Sequence, residues 1–330
     1  MRTETSYLGF RLPHPFVAGA SPFGYHLDTI KRLEDAGAAA VVLHSLFEEQ
    51  VTADTDGRIR RMDLLDRSFA ETLADFPDRD DYALSPDEYA EHISRVKHAV
   101  RIPIIGSLNG TSPESWLRFA RVIEQAGADA LELNLYEVVA NLAIPAAAIE
   151  SSLVGIVSEV KRIVKIPVAV KVLPYFTAFG DMARQLDAAG ADALVLFNRF
   201  YQADIDIKSM TVTPQVSLST SSELLLRLRW LAILHGRVRP ALAAAGGVVT
   251  PDDGIKAILA GADVVQMVSA LLRHGPTHLD TMRTGLESWM DWHKITTLDD
   301  VRGRVSLQRS QDPGAVERAH YIHTLHSWGH

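Results

Sequence analysis

One short pattern occurs four times along the chain and constrains its fold more than any other feature. Each copy reads alanine, glycine, alanine, with an aspartate next in three of the four copies, and an apolar run follows. A glycine just past a helix can adopt the left-handed backbone conformation that closes the helix, and a short apolar run fits a parallel strand covered on both faces. Four such units predict alternating strands and helices. The glycines are Gly37, Gly127, Gly190 and Gly261, and the runs are VVLH, ALELN, ALVLFN and VVQM.

Further apolar runs and helical patterns complete a series of eight strands. Ser112-Pro113 and Thr250-Pro251 each place a capping hydroxyl before a first-turn proline, which indicates a helix start. Eight strands that alternate with helices predict an α/β fold, a closed (β/α)8 TIM barrel that takes residues 1–330 as one domain, with a doubly wound open sheet as the alternative. The predicted strands are 15–19, 39–43, 104–108, 130–135, 167–171, 193–198, 241–245 and 263–267, and the predicted helices include 27–36, 113–126, 150–164, 177–189, 251–260 and 277–293.

Two connections are longer than ordinary strand-to-helix loops. Residues 44–86 are rich in charge, and residues 199–221 contain the alternating stretch DIDIKSMTV, which predicts a small hairpin. Both follow strands, so we expect them on the carboxyl face of the barrel, where barrel enzymes hold their active sites. We interpret these top-face insertions as lids or substrate walls, with a solvated surface excursion as the alternative for 44–86. Residues 305–330 form a C-terminal tail.

Composition excludes several classes of function. The chain has no cysteine, which excludes disulfides, thiol nucleophiles and cysteine-ligated clusters within it, so redox chemistry requires a bound organic cofactor. A net charge of -8 offers no electrostatic footprint for nucleic acid. There is neither a signal peptide nor an apolar run of about 18 residues, so we expect a cytoplasmic protein without a membrane span. His320, His323 and His326 lack a carboxylate-rich shell, and we predict no metal site.

Polar side chains are predicted at the carboxyl ends of several strands. In LELNL the leucines share one face, so Glu132 and Asn134 share the other and point into the barrel, where each needs a hydrogen-bond partner. The convergence of three amides and an ammonium predicts one binding pocket, although strand ends are also polar simply because they meet water. The other residues are Asn109, in phase with Ile105 and Ser107, Lys171, in phase with Ala169, and Asn198, in phase with Leu194 and Leu196.

A second signal lies in the last two strand-to-helix loops. Gly246-Gly247 follows the seventh strand, and Ser269-Ala270 follows the eighth. Glycine lets backbone N–H groups approach phosphate oxygens closely, and a nearby helix start adds favourable partial charge. This position in a barrel predicts a phosphate site.

Four motifs in order resemble the dihydroorotate dehydrogenase family, from about Tyr7 to Arg304. They are LGFRLPHPFVAGASP, ALELNL, VAVKVLPYF and AAAGGVVTPDDGIKAILAGADVVQMVSALLRHGP, of which the last is the most specific. The resemblance implies a barrel with an amino-terminal hairpin and bound FMN, and hydride transfer between flavin N5 and dihydroorotate or a related small carbonyl compound in pyrimidine biosynthesis. It also implies a homodimer, and a partner subunit could carry electrons to or from the flavin.

The resemblance assigns roles to individual residues. Lys171 would lie by the N1–C2=O edge of the flavin, where an ammonium stabilises the negative charge that reduction brings. Asn198 would bind the substrate ring, and Asn134 flavin or substrate. The remaining implied cofactor contacts are Ala20, Ser21 and Asn109 at the flavin ring, and Gly246, Gly247, Ser269 and Ala270 at the phosphate.

The chain departs from the family where the proton acceptor is expected. The family carries cysteine or serine three residues after the strand-end asparagine, and here Glu137 occupies that position beside Tyr136, with Asn141 as a substitute for a lost asparagine. Glu137 could act as a base, or no base remains. His44 stands where the family often has lysine, and it either contacts the flavin or packs.

Two other functions remain open on these residues. In a flavin-free barrel lyase or aldolase, Lys171 would form a Schiff base with a phosphorylated carbonyl compound. In a non-catalytic homologue, the fold and the flavin would be kept without turnover, because the usual cysteine or serine is missing.

Overall fold

The computed structural model describes residues 1–48, 84–200, 203–214, 217–308 and 310–327. The elements of the first half are β1 (Thr5–Tyr7), β2 (Phe10–Leu12), β3 (Phe16–Ala18), α1 (Leu27–Asp35), β4 (Val41–Phe47), α2 (Pro86–Ala99), β5 (Ile104–Asn109), α3 (Pro113–Gln125), β6 (Ala130–Leu135) and α4 (Ala146–Ile163). Those of the second half are β7 (Val168–Val172), α5 (Phe179–Ala188), β8 (Ala193–Leu196), β9 (Ala203–Asp206), β10 (Thr211–Pro214), α6 (Leu224–Leu234), β11 (Ala241–Ala245), α7 (Pro251–Ala260), β12 (Val264–Met267), α8 (Ser269–His274), α9 (His278–Trp292) and α10 (Pro313–His326).

Eight parallel strands close into a barrel in the order β3, β4, β5, β6, β7, β8, β11 and β12. The predicted (β/α)8 barrel is confirmed, and the open doubly wound sheet is wrong. Two antiparallel pairs lie outside the barrel: β1 with β2, and β9 with β10. The first pair is the amino-terminal hairpin that the family resemblance implied, and the second is the hairpin predicted from DIDIKSMTV.

Some element ends differ from those predicted. β4 begins at Val41 and continues to Phe47 rather than ending at residue 43, because Ser45 turns inward and its hydroxyl lies 2.7 Å from that of Ser107 on β5. No bounds were predicted for α2, α6, α8 or α10. Within the predicted insertions and tail, residues 49–83, 201–202, 215–216, 309 and 328–330 lie outside the described residues. No helix of the described ranges is long and apolar enough to cross a membrane.

The repeated unit has a structural explanation that reaches beyond its glycine. Gly37, Gly127, Gly190 and Gly261 all have positive φ, between 87° and 121°, as predicted for helix ends. In three of the units, the aspartate two residues after the glycine binds the start of the strand that precedes the helix, a contact called the latch below. Asp192 accepts a hydrogen bond from the backbone N–H of Val168 at 2.7 Å and forms an ion pair with Lys161 at 2.6 Å. Asp129 does the same for Ile104 with Lys97, and Asp263 for Leu242 with Arg302.

Apolar residues pack in two layers, one between barrel and helices and one inside the barrel. The interior layer is built largely from small side chains, which leaves room at the amino end of the barrel for the β1–β2 hairpin. Tyr7 and Leu12 of that hairpin are 2% and 1% exposed, so they close this end, and the opposite end remains for a site. The barrel residues of this interior cluster are Val17, Ala39, Ala40, Val42, Ile105, Ala130, Ala169, Ala193, Val195, Ala243, Ala245 and Val264.

Candidate active site

A pocket opens at the carboxyl end of the barrel, beside the ends of β7, β8, β11 and β12. Its empty volume is about 670 Å³, part of it open to solvent, which is in the range of cofactor and ligand sites. Six of the predicted site residues line it, namely Ala20, Lys171, Asn198, Gly246, Gly247 and Ser269. The other lining residues are Phe197, Arg199, Ser219, Glu223, Arg227, Ala245, Val248, Gln266 and Val268.

The floor of the pocket is a buried polar network inside the barrel. Glu132 is 0% exposed, and its carboxylate accepts from the Lys171 ammonium at 3.3 Å and from the side-chain amide of Gln266 at 2.6 Å. The expectation that Glu132 lies inside the barrel with a hydrogen-bond partner is confirmed. The carboxylate compensates the Lys171 charge and fixes the ammonium at the pocket end of the network.

Tyr7 approaches this network from the closed end of the barrel. Burial raises the pKa of the Tyr7 phenol well above its usual value, and the negative charge of Glu132 raises it further. The hydroxyl therefore stays protonated. The carbonyl oxygen of the Gln266 side chain is buried and has no hydrogen-bond partner among the described residues. Sequence reasoning missed Gln266, although its position two residues after the inward Val264 carried the signal.

Two of the predicted amides meet at the mouth of the barrel. The side-chain amide of Asn198 donates a hydrogen bond to the side-chain oxygen of Asn134. The phase argument for Asn198 was wrong, because Leu194 and Leu196 belong to the outer layer and β8 ends at Leu196. Asn198 reaches the mouth because the chain leaves the strand, with its N–H donating to the Val172 carbonyl at 2.8 Å.

Asn109 ends β5 and is 7% exposed, paired in register with Phe47 of β4. Ser21 is 8% exposed and stands before a short 3-10 helix, Pro22–Gly24. Ala20, its neighbour, lines the pocket. Asn109 and Ser21 lie at strand ends on the same face of the barrel without lining the pocket itself.

The paired glycines adopt a conformation that other residues disfavour. Gly246 and Gly247 have φ of +86° and +80°, and a Cβ at Gly247 would come within 2.4 Å of the backbone nitrogen of Leu224 at the start of α6. The glycines are therefore required by packing against α6 as well as by close approach to a ligand. The N–H of Gly247 donates to the Ser219 hydroxyl at 3.2 Å.

Ser219 lies in the predicted 199–221 insertion, between β10 and α6, and lines this part of the pocket; sequence reasoning expected a substrate wall there but did not single out Ser219. The hydroxyl of Ser219 donates to that of Ser269 at 2.9 Å, and the guanidinium of Arg273 holds the carbonyls of Leu218 and Ser219, both at 2.8 Å. Ala270 is 0% exposed inside α8, so its side chain belongs to the core. The hydroxyls of Ser219 and Ser269 and the N–H of Gly247 are hydrogen-bonding groups that suit an anion.

His44 lies in a buried cluster beside the barrel and does not line the pocket. Its ring stacks on Tyr25 with centroids 3.8 Å apart, and Nδ1 lies 3.1 Å from the carbonyl of Gly24, which His92 also contacts. Burial, together with the neighbouring His92, lowers the pKa of His44 to about 3, so the ring is neutral. This geometry favours packing, although Nε2 is buried without a partner among the described residues.

The loop after β6 carries the residues expected to replace the missing base. Glu137 and Asn141 are exposed and do not line the pocket. The side-chain oxygen of Asn141 accepts from the N–H of Ala143 at 3.0 Å, which stabilises the loop itself. Tyr136 is half-buried, with its ring 6.5 Å from that of Phe200.

Comparison with known proteins identifies the family of this chain. The family model named dihydroorotate dehydrogenase matches residues 84–290. The catalytic subunit of dihydroorotate dehydrogenase B (NAD(+)) from Thermoplasma volcanium is 27% identical over 312 residues, which cover 93% of this chain and 99% of that relative. The subunit of the same name from Methanothermobacter thermautotrophicus is 26% identical, covering 91% and 97% of the two chains. Chloroplastic dihydropyrimidine dehydrogenase (NADP(+)) from Arabidopsis thaliana is 25% identical, covering 91% and 76%. The chain belongs to the dihydroorotate dehydrogenase family of oxidoreductases.

Proposed function

We propose that this protein binds FMN in the pocket at the carboxyl end of the barrel and oxidises or reduces a small CH–CH compound, dihydroorotate or a related ring. The observation that carries the proposal is the arrangement of one pocket with two chemically different ends. Lys171 and Asn198 line one end, and Gly246, Gly247 and Ser269 line the other. When bound, FMN would supply hydride transfer at N5, the chemistry that a chain without cysteine cannot supply itself.

The phosphate end suits the 5′-phosphate of FMN. The backbone turns at Gly246 and Gly247, and hydroxyls of Ser219 and Ser269 lie beside them. Hydroxyl and N–H donors around a glycine turn are typical of phosphate sites. A Cβ at Gly247 would clash with the backbone at the start of α6, so the turn that carries these donors requires glycine.

The ring end suits the pyrimidine edge of the flavin. Lys171 presents a cation there, and its salt bridge to Glu132 at 3.3 Å fixes the side chain without blocking the pocket. A fixed cation stabilises negative charge that develops on a bound ring. We assign flavin contacts to Ala20 and Ser21, just after β3, and to Asn109, at the end of β5, because they lie on the same face of the barrel as the pocket, and substrate contacts to Asn134 and Asn198 at the mouth.

The reaction itself is tested by the anaerobic addition of dihydroorotate to purified, flavin-loaded protein. The proposal expects the visible flavin band to bleach at a rate that depends on dihydroorotate concentration. Bleaching by dithionite but not by dihydroorotate or by other dihydropyrimidines would remove this substrate class. Lys171→Met is expected to slow bleaching roughly 100-fold or more, because a charge-stabilising donor contributes about 10²-fold or more in rate.

One observation favours a second candidate, a flavin-binding relative without turnover on dihydroorotate. Glu137 is exposed and outside the pocket, so the described structure offers no base at the family's position. This candidate predicts a coloured protein that dihydroorotate does not reduce. Lys171 as a Schiff-base lysine is less well supported, because its ammonium is held in a salt bridge by the buried Glu132 carboxylate at 3.3 Å. Borohydride trapping of a covalent adduct between Lys171 and a carbonyl compound would instead support the lyase function.

A further inference from the structure

Arg227 is a buried cation that the proposed function has not yet used. It lies on α6, is 6% exposed, and lines the pocket. Its Nε donates to the carbonyl of Ala245 at 2.9 Å, and Nη1 donates to the carbonyl of Glu223 at 2.8 Å. These two hydrogen bonds fix the plane of the guanidinium, and the Nη2 group remains available to the pocket.

The charge of Arg227 has no carboxylate partner within ion-pair distance in the part of the chain that the structure describes. The charge of Glu223 acts on Arg227, but the Glu223 carboxylate lies 3.7 Å from Arg199 and accepts from the N–H of Thr220. Burial lowers the pKa of Arg227, the charge of Glu223 partly opposes this, and the charge of Arg199 adds to the lowering. Buried charges in proteins are ordinarily paired, so we expect an anion to bind beside this arginine.

The position of Nη2 shows where that anion would bind. A Cβ placed on Gly246 would lie 3.0 Å from Nη2, so the guanidinium stands directly beside the glycine turn. Gly246, Arg227 and Ser269 line the same pocket. A guanidinium beside a glycine turn presents the N–H groups of Nη2 to the pocket, and these can donate charge-assisted hydrogen bonds to the oxygens of a phosphate.

We propose that Arg227 is the counter-ion of the cofactor's phosphate group, a ligand contributed by α6. This inference rests on the proposed function, since FMN is the phosphorylated compound assigned to the pocket. The flavin ring and the ribityl chain carry no negative charge for Arg227 to pair with, so we expect Arg227 to contribute to binding through the phosphate alone. Riboflavin, which lacks only the phosphate, is therefore the matched ligand.

The test compares the binding of FMN and of riboflavin to the wild type and to variants at Arg227. Binding is measured by the quenching of flavin fluorescence. The variant is Arg227→Met, with Arg227→Lys as a milder change that keeps the charge. Arg229→Met is the control, because Arg229 lies on the same helix with a 59% exposed side chain and pairs with Glu317 at 2.9 Å. Circular dichroism and thermal melting confirm that each variant folds.

The wild type is expected to bind FMN more tightly than riboflavin. Arg227→Met is expected to weaken FMN binding roughly 30-fold to 100-fold and riboflavin binding less than about 3-fold, because a charge-assisted hydrogen bond is lost with phosphate only. Arg227→Lys is expected to weaken FMN binding several-fold, and Arg229→Met to change neither. Equal losses for both ligands in Arg227→Met, or a wild type that binds both flavins equally, would overturn the inference.

A third arm separates this inference from the proposed function. Inorganic phosphate, titrated into the flavin-free protein by calorimetry, probes the anion site alone. If the wild type binds neither flavin but binds phosphate, and Arg227→Met loses phosphate, the proposed function fails and the anion site stands. If phosphate also fails to bind a folded wild type that takes no flavin, both fail.

Discussion

At the scale of single residues, the decisive feature is a carboxylate buried between a lysine and a glutamine. Glu132 is 0% exposed, and the Lys171 side chain is 12% exposed. Either charge alone would destabilise the folded protein, because the desolvation of an unpaired ion in the interior costs a large free energy. The pair is therefore a unit, and it places the Lys171 ammonium at the floor of the pocket.

The first prediction concerns this unit. Glu132→Gln is expected to lower the free energy of unfolding by about 3–5 kcal/mol, because it leaves the Lys171 charge uncompensated. The double variant Glu132→Gln with Lys171→Met is expected to recover part of that loss, since it removes both charges. Urea unfolding of the wild type, both single variants and the double variant gives the coupling energy.

The control for this cycle is the exposed pair of Asp181 and Arg184, whose side chains are 49% and 70% exposed. Asp181→Asn is expected to leave the urea midpoint unchanged within error. A Glu132→Gln variant as stable as the wild type, with strictly additive effects in the double variant, would show that the two side chains are not coupled.

Sequence reasoning reached part of the site at this scale. Glu132 and Lys171 followed from strand alternation, and Gly246 and Gly247 from their position after a strand. Ser219 and Arg227 could not be found this way, because they come from a connection and from α6, and only the closing of the barrel brings them to the pocket. Asn198 was placed by a wrong phase, since β8 ends earlier than its apolar run.

At the scale of elements, the repeated unit joins each helix end to the strand before that helix. The glycine reverses the chain, and in three of the four units an aspartate two residues later accepts a hydrogen bond from an N–H at the start of the preceding strand and pairs with a basic residue. For Asp192 the partners are Val168 and Lys161, at 2.7 and 2.6 Å. The latch sets the register between neighbouring strands at the amino end of the barrel, away from the pocket.

The second prediction removes one latch. Asp192→Ala is expected to lower the free energy of unfolding by about 1–2 kcal/mol, because the Val168 N–H loses its charged acceptor. Hydrogen exchange at the Val168 amide is expected to become faster. Asp280→Ala is the control, because among the described residues Asp280 pairs only with Arg283, on the surface of α9. Unchanged exchange at Val168 would contradict the latch.

Element ends were predicted less well than element types. The repeated unit gave the strands and helices in the correct order, because glycine turns and apolar runs are local signals. β4 was predicted to end before His44, because polar residues there read as a loop; the pairing of Ser45 with Ser107 extends it. α10 was not predicted, and it has no buried residue, so no apolar face marked it in the sequence.

At the scale of the whole molecule, buried neutral histidines couple stability to pH. Burial lowers the pKa of His14 to about 4 and that of His44 to about 3, and it also lowers the pKa of His92. In the unfolded chain each would have a pKa of about 6.5. Between these values the unfolded chain binds protons that the folded protein does not.

The third prediction follows from that sign. Stability is expected to be full above about pH 6.5 and to fall as pH drops towards 4, by up to about 2 kcal/mol for each buried histidine at pH 5. Urea unfolding at pH 7.5, 6 and 5 measures the slope. His14→Gln is expected to flatten the slope, and His320→Gln, on the exposed α10, to leave it unchanged. Equal stability at pH 7.5 and 5 would contradict the account.

The central claim is that the barrel's open end exists to hold FMN, and flavin titration of the purified protein tests it most directly. Flavin-free, folded protein is titrated with FMN while fluorescence quenching and the visible spectrum are recorded. The account predicts saturable binding of one FMN per chain, with a shifted visible band, and weaker binding by the Lys171→Met variant. A folded protein that is colourless as purified and shows neither quenching nor a shifted band with added FMN would contradict it.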